Sequence, residues 1–203
     1  MIKRIFDISF SLVGLLILAP LLLLIALAVS IDSQGGAFYR QLRIGRYGRT
    51  FRLFKFRTMR PMSEHSGLLS LGESDPRITR IGAMLRKYKL DELPQLLNVL
   101  LGQMSLVGPR PEVPRYVAHY DERQRRVLTV RPGLTDLASL EYFDEGKLLA
   151  ASPDPEKTYL ETILPHKLEL ALRYVQEQSL ATDLRIIGRT LLRILRQEKS
   201  SIE

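Results

Sequence analysis

Two adjacent carboxylates, Asp91 and Glu92, follow the basic run Arg86-Lys87-Tyr88-Lys89 and precede Leu93-Pro94-Gln95. Proline is favoured in the first turn of a helix, which puts Asp91 at or just before a helix N-terminus. Free N–H groups and the macrodipole there favour an ionised carboxylate. Further on, Val107-Gly108-Pro109-Arg110-Pro111 holds one arginine between two prolines, which offers its guanidinium to an anion with little entropic loss. Arg131, before Pro132-Gly133, repeats the device. Cations fixed around one carboxylate are what phosphoryl transfer to an enzyme aspartate requires. Asp91 is the candidate nucleophile. Glu92, whose side chain would diverge from it by about 100° on a helix, is the candidate base or metal helper. The bland alternative is that Asp91 only caps a helix.

Several elements must position these groups. Phe38 to Met59, punctuated by Gly45 and Gly48, predicts a β-hairpin. Lys55 and Arg57 stand in its second half among Phe54, Phe56 and Met59, an apolar setting in which a cation is expected to have an assigned anion. The other arginines from Arg40 to Arg52 suit a basic edge near anionic lipid. Residues 61–76 lack periodicity and predict a loop. Helical spacing resumes over Ile78–Lys89 and again from Leu93 to Leu100, where Gly102 can end the helix. Tyr116–Leu128 predicts one short charged helix. Leu164–Gln197 predicts helix broken near Ser179, its last part setting Leu184, Ile187, Leu191 and Ile194 against Arg185, Arg189, Arg193 and Arg196. That stripe suits an interfacial helix or an ordinary solvated one. The expected fold is α+β, mainly helical with a β-hairpin, with amphipathic interfacial helices.

The 203 residues are 45% hydrophobic, enough for one substantial core, and carry a net charge of +8, which implies an anionic partner. With no cysteine and three scattered histidines, a metal would be a hard cation on carboxylates and phosphates. Nucleic-acid binding would explain the charge, but no recognised binding motif is present. From Ile8 to Ile31 no residue is charged, and basic residues lie on both flanks: Lys3 and Arg4 before, Arg40 to Arg60 after. The positive-inside rule keeps both flanks in the cytoplasm. A re-entrant helix over 1–31, broken at Ala19-Pro20, satisfies both, with a cytoplasmic domain over 32–203. A plain transmembrane anchor is the alternative.

Five motifs occur in a fixed order: Lys55-Phe56-Arg57-Thr58-Met59; Asp75-Pro76-Arg77-Ile78-Thr79-Arg80-Ile81-Gly82; Leu90-Asp91-Glu92-Leu93-Pro94-Gln95; Met104-Ser105-Leu106-Val107-Gly108-Pro109-Arg110-Pro111; and Arg131-Pro132-Gly133-Leu134-Thr135. Over essentially its whole length the chain resembles the bacterial sugar transferase family, the monotopic polyprenyl-phosphate phosphoglycosyl transferases. In length and in its single membrane element it is similar to the small members. The resemblance implies transfer of a sugar 1-phosphate from a UDP-sugar to polyprenyl (undecaprenyl) phosphate, with UMP as co-product. It implies a ping-pong route through a phospho-sugar on Asp91, with Glu92 as partner carboxylate and Mg²⁺ held by Asp91. Arg86, Lys55, Arg110 and Arg131 are the implied phosphate contacts, and Pro109, Pro111 and Arg57 the nucleotide or sugar loop. The implied setting is the cytoplasmic leaflet of the bacterial inner membrane, at the first membrane step of glycoconjugate synthesis. A homodimer is left open, and nucleic acid is not a partner. A non-catalytic membrane scaffold is the rival reading. Three positions depart from the family pattern: Ala19 replaces a frequent serine, Asp136-Leu137-Ala138-Ser139 follows Thr135, and Ala171 stands where an aspartate is common.

Overall fold

A computed structural model describes residues 2–61, 67, 69–72 and 75–199, with side chains up to Arg196. Much of the loop expected over 61–76, His65 included, lies outside the described residues. The N-terminal apolar segment is a single helix, α1 (Ile2–Asp32). Its helical periodicity selects one face. Asp7, Ser11, Ile25 and Val29 are buried, with Leu18 and Leu22 half-buried between them. Phe6, Leu15 and Leu18 pack on one core cluster, and Leu22, Ile25, Ala26 and Val29 on another. The expected interruption at Ala19-Pro20 does not break the helix. A proline removes one backbone bond, and the packed turns on either side of it continue the same face.

Both ends of α1 are tied to the rest of the fold. Near its start the Asp7 carboxylate accepts from Ser105 Oγ at 2.9 Å and Leu106 N at 3.1 Å. Arg4 donates to the carbonyls of Val99 and Leu100, at 2.7 and 3.0 Å. Lys3 pairs with Asp183 and donates to Tyr174 Oη and the Val107 carbonyl. At the far end Asp32 accepts from Ile81 N at 3.1 Å.

The predicted hairpin is present as β1 (Phe38–Ile44) and β2 (Thr50–Phe56), antiparallel, with Phe38 opposite Phe56. Behind it run α2 (Arg80–Lys87) and α3 (Gln95–Leu100). Asn98 on α3 is fully buried because it closes an open edge. It accepts from Phe54 N at 2.8 Å and donates to the Arg52 carbonyl at 2.9 Å. Gly102, at φ +78°, turns the chain out of α3.

Two short strands, β3 (Ser105–Val107) and β4 (Gly133–Thr135), pair in parallel, separated in sequence by α4 (Pro114–Val117). They bring two proline-flanked motifs together. A Cβ on Gly133 would fall 2.1 Å from Gly108 N, and one on Gly108 would fall 2.4 Å from the Arg131 carbonyl. Only paired glycines allow this approach.

The remainder is helical: α5 (Leu137–Glu141), α6 (Glu145–Ala150), α7 (Pro155–Thr158), α8 (Leu164–Glu177) and α9 (Leu180–Lys199). The break expected near Ser179 separates the last two. Tyr116–Leu128 is not one helix. Asp121 and Gln124 exchange backbone-to-side-chain hydrogen bonds at 2.7 and 3.0 Å, a reciprocal cap that restarts the chain as a 3₁₀ turn over Gln124–Thr129.

Asn98→Leu keeps the volume but leaves the Phe54 N–H and the Arg52 carbonyl unpaired in the core. It should cost about 2–4 kcal/mol, read as a lowered thermal unfolding midpoint in detergent.

Candidate active site

The sequence around the acid pair folds as a sharp reversal. α2 ends at Tyr88, Lys89 takes a left-handed conformation (φ +56°), and Leu90–Glu92 form a 3₁₀ turn before α3 begins past Pro94. Asp91 thus stands a turn ahead of α3, and a cation from β2 holds it. Lys55 Nζ lies 2.8 Å from Asp91 Oδ2. Asp91 is 3% exposed and lines a cleft of about 540 Å³.

Glu92 points to a different partner. Arg110 forks onto it, Nη2 to Oε1 at 2.6 Å and Nη1 to Oε2 at 3.4 Å. Burial pushes the Glu92 carboxyl up. Arg110, Lys55 and Lys89 together outweigh that and hold it below the ordinary carboxylate range. The same pairing drives Arg110 above its ordinary range. A carboxylate so held is a poor proton acceptor, so the geometry favours Glu92 as the anchor of Arg110 over Glu92 as a base.

Arg86 is the cation left over. Its guanidinium is buried, and Nη1 has no hydrogen-bond partner. Burial pulls it below the ordinary guanidinium range, against attraction from Asp91, Asp75 and Glu92. Lys89, part of the basic run before Asp91 but not among the expected phosphate contacts, also faces the cleft. Its Nζ lies 4.8 Å from the Phe143 ring, and burial lowers its pKa. Nothing in its local pattern signals the left-handed turn that aims it inward.

Asp136 was legible only as a departure from a family pattern. Its Oδ2 accepts from Arg110 N at 3.0 Å and its Oδ1 caps α5 through Ser139 N at 2.6 Å. It therefore fixes the backbone behind the Arg110 fork. Pro109 and Pro111 are buried and do not line the cleft. Their carbonyls accept from Gly133 N and Arg43 Nη1, both at 2.9 Å, so they brace the loop.

Two expected contacts lie elsewhere. Arg131 lines a separate cavity and donates to the Gly102 carbonyl at 2.9 Å, while Leu134 and Thr135 of β4 are what that segment turns towards the Asp91 cleft. Arg57 lies past the end of β2, where it donates to the carbonyls of Gly36 and Phe38 at 3.1 and 3.2 Å. One side of the cleft wall is apolar, with Phe10 and Gly14 of α1, Leu96 of α3, Leu106, Leu134, and Ile187, Leu191 and Ile194 of α9, while Asp144, Glu145, Lys147 and Lys167 add charge elsewhere on it.

Comparison with known proteins gives a consistent set of relatives. A family model described as bacterial sugar transferase matches residues 1–197. An exopolysaccharide production protein of Rhizobium leguminosarum bv. phaseoli is 39% identical over 98% of this chain and 97% of its own length. A UDP-glucose:undecaprenyl-phosphate glucose-1-phosphate transferase of Xanthomonas campestris pv. campestris is 38% identical over 97% of the chain, which spans 39% of that protein. A UDP-N-acetylgalactosamine-undecaprenyl-phosphate N-acetylgalactosaminephosphotransferase of Aeromonas hydrophila is 34% identical over 96% of the chain and 44% of its own length.

Arg110→Met should leave the half-buried Glu92 without its guanidinium and cost about 1.5–3 kcal/mol. The Glu92 pKa should rise, as carboxyl ¹³C NMR would report. Because the folded carboxyl lies below its ordinary 4.5, the pair stabilises fully above that pH and loses its contribution as pH falls. The stability gap between wild type and Arg110→Met should therefore narrow on acidification.

Proposed function

This chain belongs to the bacterial sugar transferase family and is a phosphoglycosyl transferase, and on that premise we propose that it moves a sugar 1-phosphate from a UDP-sugar to polyprenyl phosphate, releasing UMP. The reaction is the first membrane step of glycoconjugate synthesis. The observation that carries this reading is the charge of the cleft. Lys55, Arg86, Lys89 and Arg110 face Asp91 and Glu92. Ion pairs occupy Asp91 and Glu92, and among the described residues Arg86 and Lys89 are in none, which suits a doubly charged diphosphate.

In the first half-reaction Asp91 Oδ1 attacks the β-phosphorus of the UDP-sugar. The bond from that phosphorus to the bridging oxygen breaks, UMP leaves with the electron pair, and the sugar phosphate is bound to Asp91 as an acyl phosphate. Lys55 holds and aims the nucleophile, while Arg86 and Lys89 balance the equatorial oxygens. In the second half an oxygen of polyprenyl phosphate attacks the same phosphorus and Asp91 departs as a carboxylate. Neither half requires a proton transfer, since both nucleophiles are already anions. That agrees with a Glu92 locked to Arg110.

Mg²⁺ fits this donor set in a limited way. No cluster of three acidic or histidine side chains occurs among the described residues. The ion would be held as is usual at nucleotide phosphates, by one carboxylate, Asp91, with phosphate oxygens and water. When bound it supplies charge neutralisation at the phosphates.

α1 is proposed to lie re-entrant in the cytoplasmic leaflet of a bacterial inner membrane. Support comes from its two ends, which hydrogen-bond to one and the same domain, while Leu16, Ile17, Leu23, Leu24 and Leu27 face outward. A helix crossing the bilayer would carry its ends to opposite faces.

UMP release from UDP-sugars, assayed in detergent with Mg²⁺ and polyprenyl phosphate, tests the chemistry and names the sugar. Asp91→Asn should lower it by at least roughly a thousandfold. Full activity in that variant would remove Asp91 as nucleophile, and no release with any UDP-sugar would favour the scaffold. For the topology, cysteines at Ile2 and Gln34 are unambiguous because the chain has none of its own. An impermeant maleimide should label neither in intact cells and both in inside-out vesicles. Labelling of either in cells would mean that α1 spans.

A further inference from the structure

A second cavity, of about 160 Å³, lies where the start of α1 meets the hairpin turn and the segment before β4. It is separate from the Asp91 cleft, shares no lining residue with it, and has no part in the proposed transfer. Its wall carries four cations, Lys3, Arg4, Arg46 and Arg131, and one carboxylate, Asp7. Two of these charges are already used. Lys3 is paired with Asp183, and Asp7 is saturated by Ser105 and the Leu106 N–H.

The three arginines are different. Arg4, Arg46 and Arg131 donate only to backbone carbonyls, those of Val99 and Leu100, of Thr129, and of Gly102 respectively. None of the three is in an ion pair among the described residues. Capping the C-terminal carbonyls of α3 accounts for Arg4 and Arg131. Arg46 in addition lies over the Tyr47 ring at 4.4 Å, but neither contact accounts for holding three half-buried guanidiniums around one cavity. Burial and the repulsion of Arg4 and Arg46 together pull Arg131 below its ordinary range. Four cations with one carboxylate in the wall leave an excess of positive charge, which lowers its energy by taking up an anion.

The element that supplies Lys3 and Arg4 indicates what kind of anion. The same first turn of α1 carries Ile2 and Ile5, 70% and 58% exposed, and leads into the long apolar helix. A cation cluster at the end of an apolar helix on a membrane stands at headgroup depth, where the available anion is a lipid phosphate. We propose that this cavity binds the phosphodiester headgroup of an anionic phospholipid, with Arg4, Arg46 and Arg131 as donors. The proposal takes from the preceding section only that the chain sits on a membrane, and its test needs no turnover.

The test uses the full chain in non-ionic detergent and reads the thermal unfolding midpoint. The probes are dihexanoylphosphatidylglycerol, dihexanoylphosphatidylcholine and inorganic phosphate. Phosphatidylglycerol should raise the midpoint saturably, and phosphatidylcholine should not. Arg46→Gln should raise the half-saturating phosphatidylglycerol concentration by roughly fivefold, the loss of one cation's attraction to anionic lipid. Arg131→Gln, from another part of the wall, should act alike. Arg49→Gln removes the same charge from an exposed position outside the cavity and should leave the response unchanged. Equal responses to both lipids, or equal weakening in Arg49→Gln and Arg46→Gln, would overturn the site. A saturable shift with inorganic phosphate as large as that with phosphatidylglycerol would overturn the lipid assignment.

Discussion

The structure is organised around charge that does not balance. Seven cations and four carboxylates line one partly buried cleft, and a buried ion without a partner costs several kcal/mol. Such a cluster persists only if the surrounding fold is stiff. Asn98 pins β2, and so Lys55, to α3. The Gly108–Gly133 contact and the Asp136 carboxylate fix the loop that carries Arg110. Asp75, held to about 2 by Arg77 side-chain and backbone hydrogen bonds, steadies the approach to α2 and adds its field at Arg86. A site stiffened in this way need not reorganise when an anion arrives, which is the main source of electrostatic catalysis.

The features legible in the sequence were those set by a few neighbouring residues. The hairpin followed from Gly45, Gly48 and the aromatic runs, and Asp91, Arg86, Lys55 and Arg110 from short motifs that keep their order. What stayed hidden depended on distant partners. Glu92 reads as the natural companion of Asp91, and only the fork from Arg110 shows how strongly it is engaged elsewhere. Arg57 and Arg131 carry the same motif signal as Arg110, but carbonyls on other segments claim them. Lys89 needs a left-handed backbone that no local residue advertises. Asp7 and Lys3 look like the ordinary flank of an apolar helix until Ser105 and Asp183 are set beside them.

The cleft and the membrane element are continuous. Phe10 and Gly14 of α1 and Leu191 and Ile194 of α9 complete the wall whose other side is Lys55, Arg86 and Asp91. Apolar and ionic surfaces thus meet inside one cavity, and a molecule that is a phosphate at one end and a hydrocarbon at the other could satisfy both without leaving its own solvent.

The bond between Lys3 and Asp183 also carries a consequence in time. The two residues are 180 positions apart, so during synthesis α1 is complete long before its partner on α9 exists. At translation rates of about 5–20 residues per second the interval is roughly ten to forty seconds. For that period a very apolar helix lacks its tie to α9, and even its contacts to Ile81, Val99 and Ser105 wait on roughly fifty to a hundred further residues. In the re-entrant arrangement proposed above, its orientation must first be set by something other than the finished fold. The basic residues on its flanks, Lys3 and Arg4 first and the hairpin arginines soon after, are made early enough to do so.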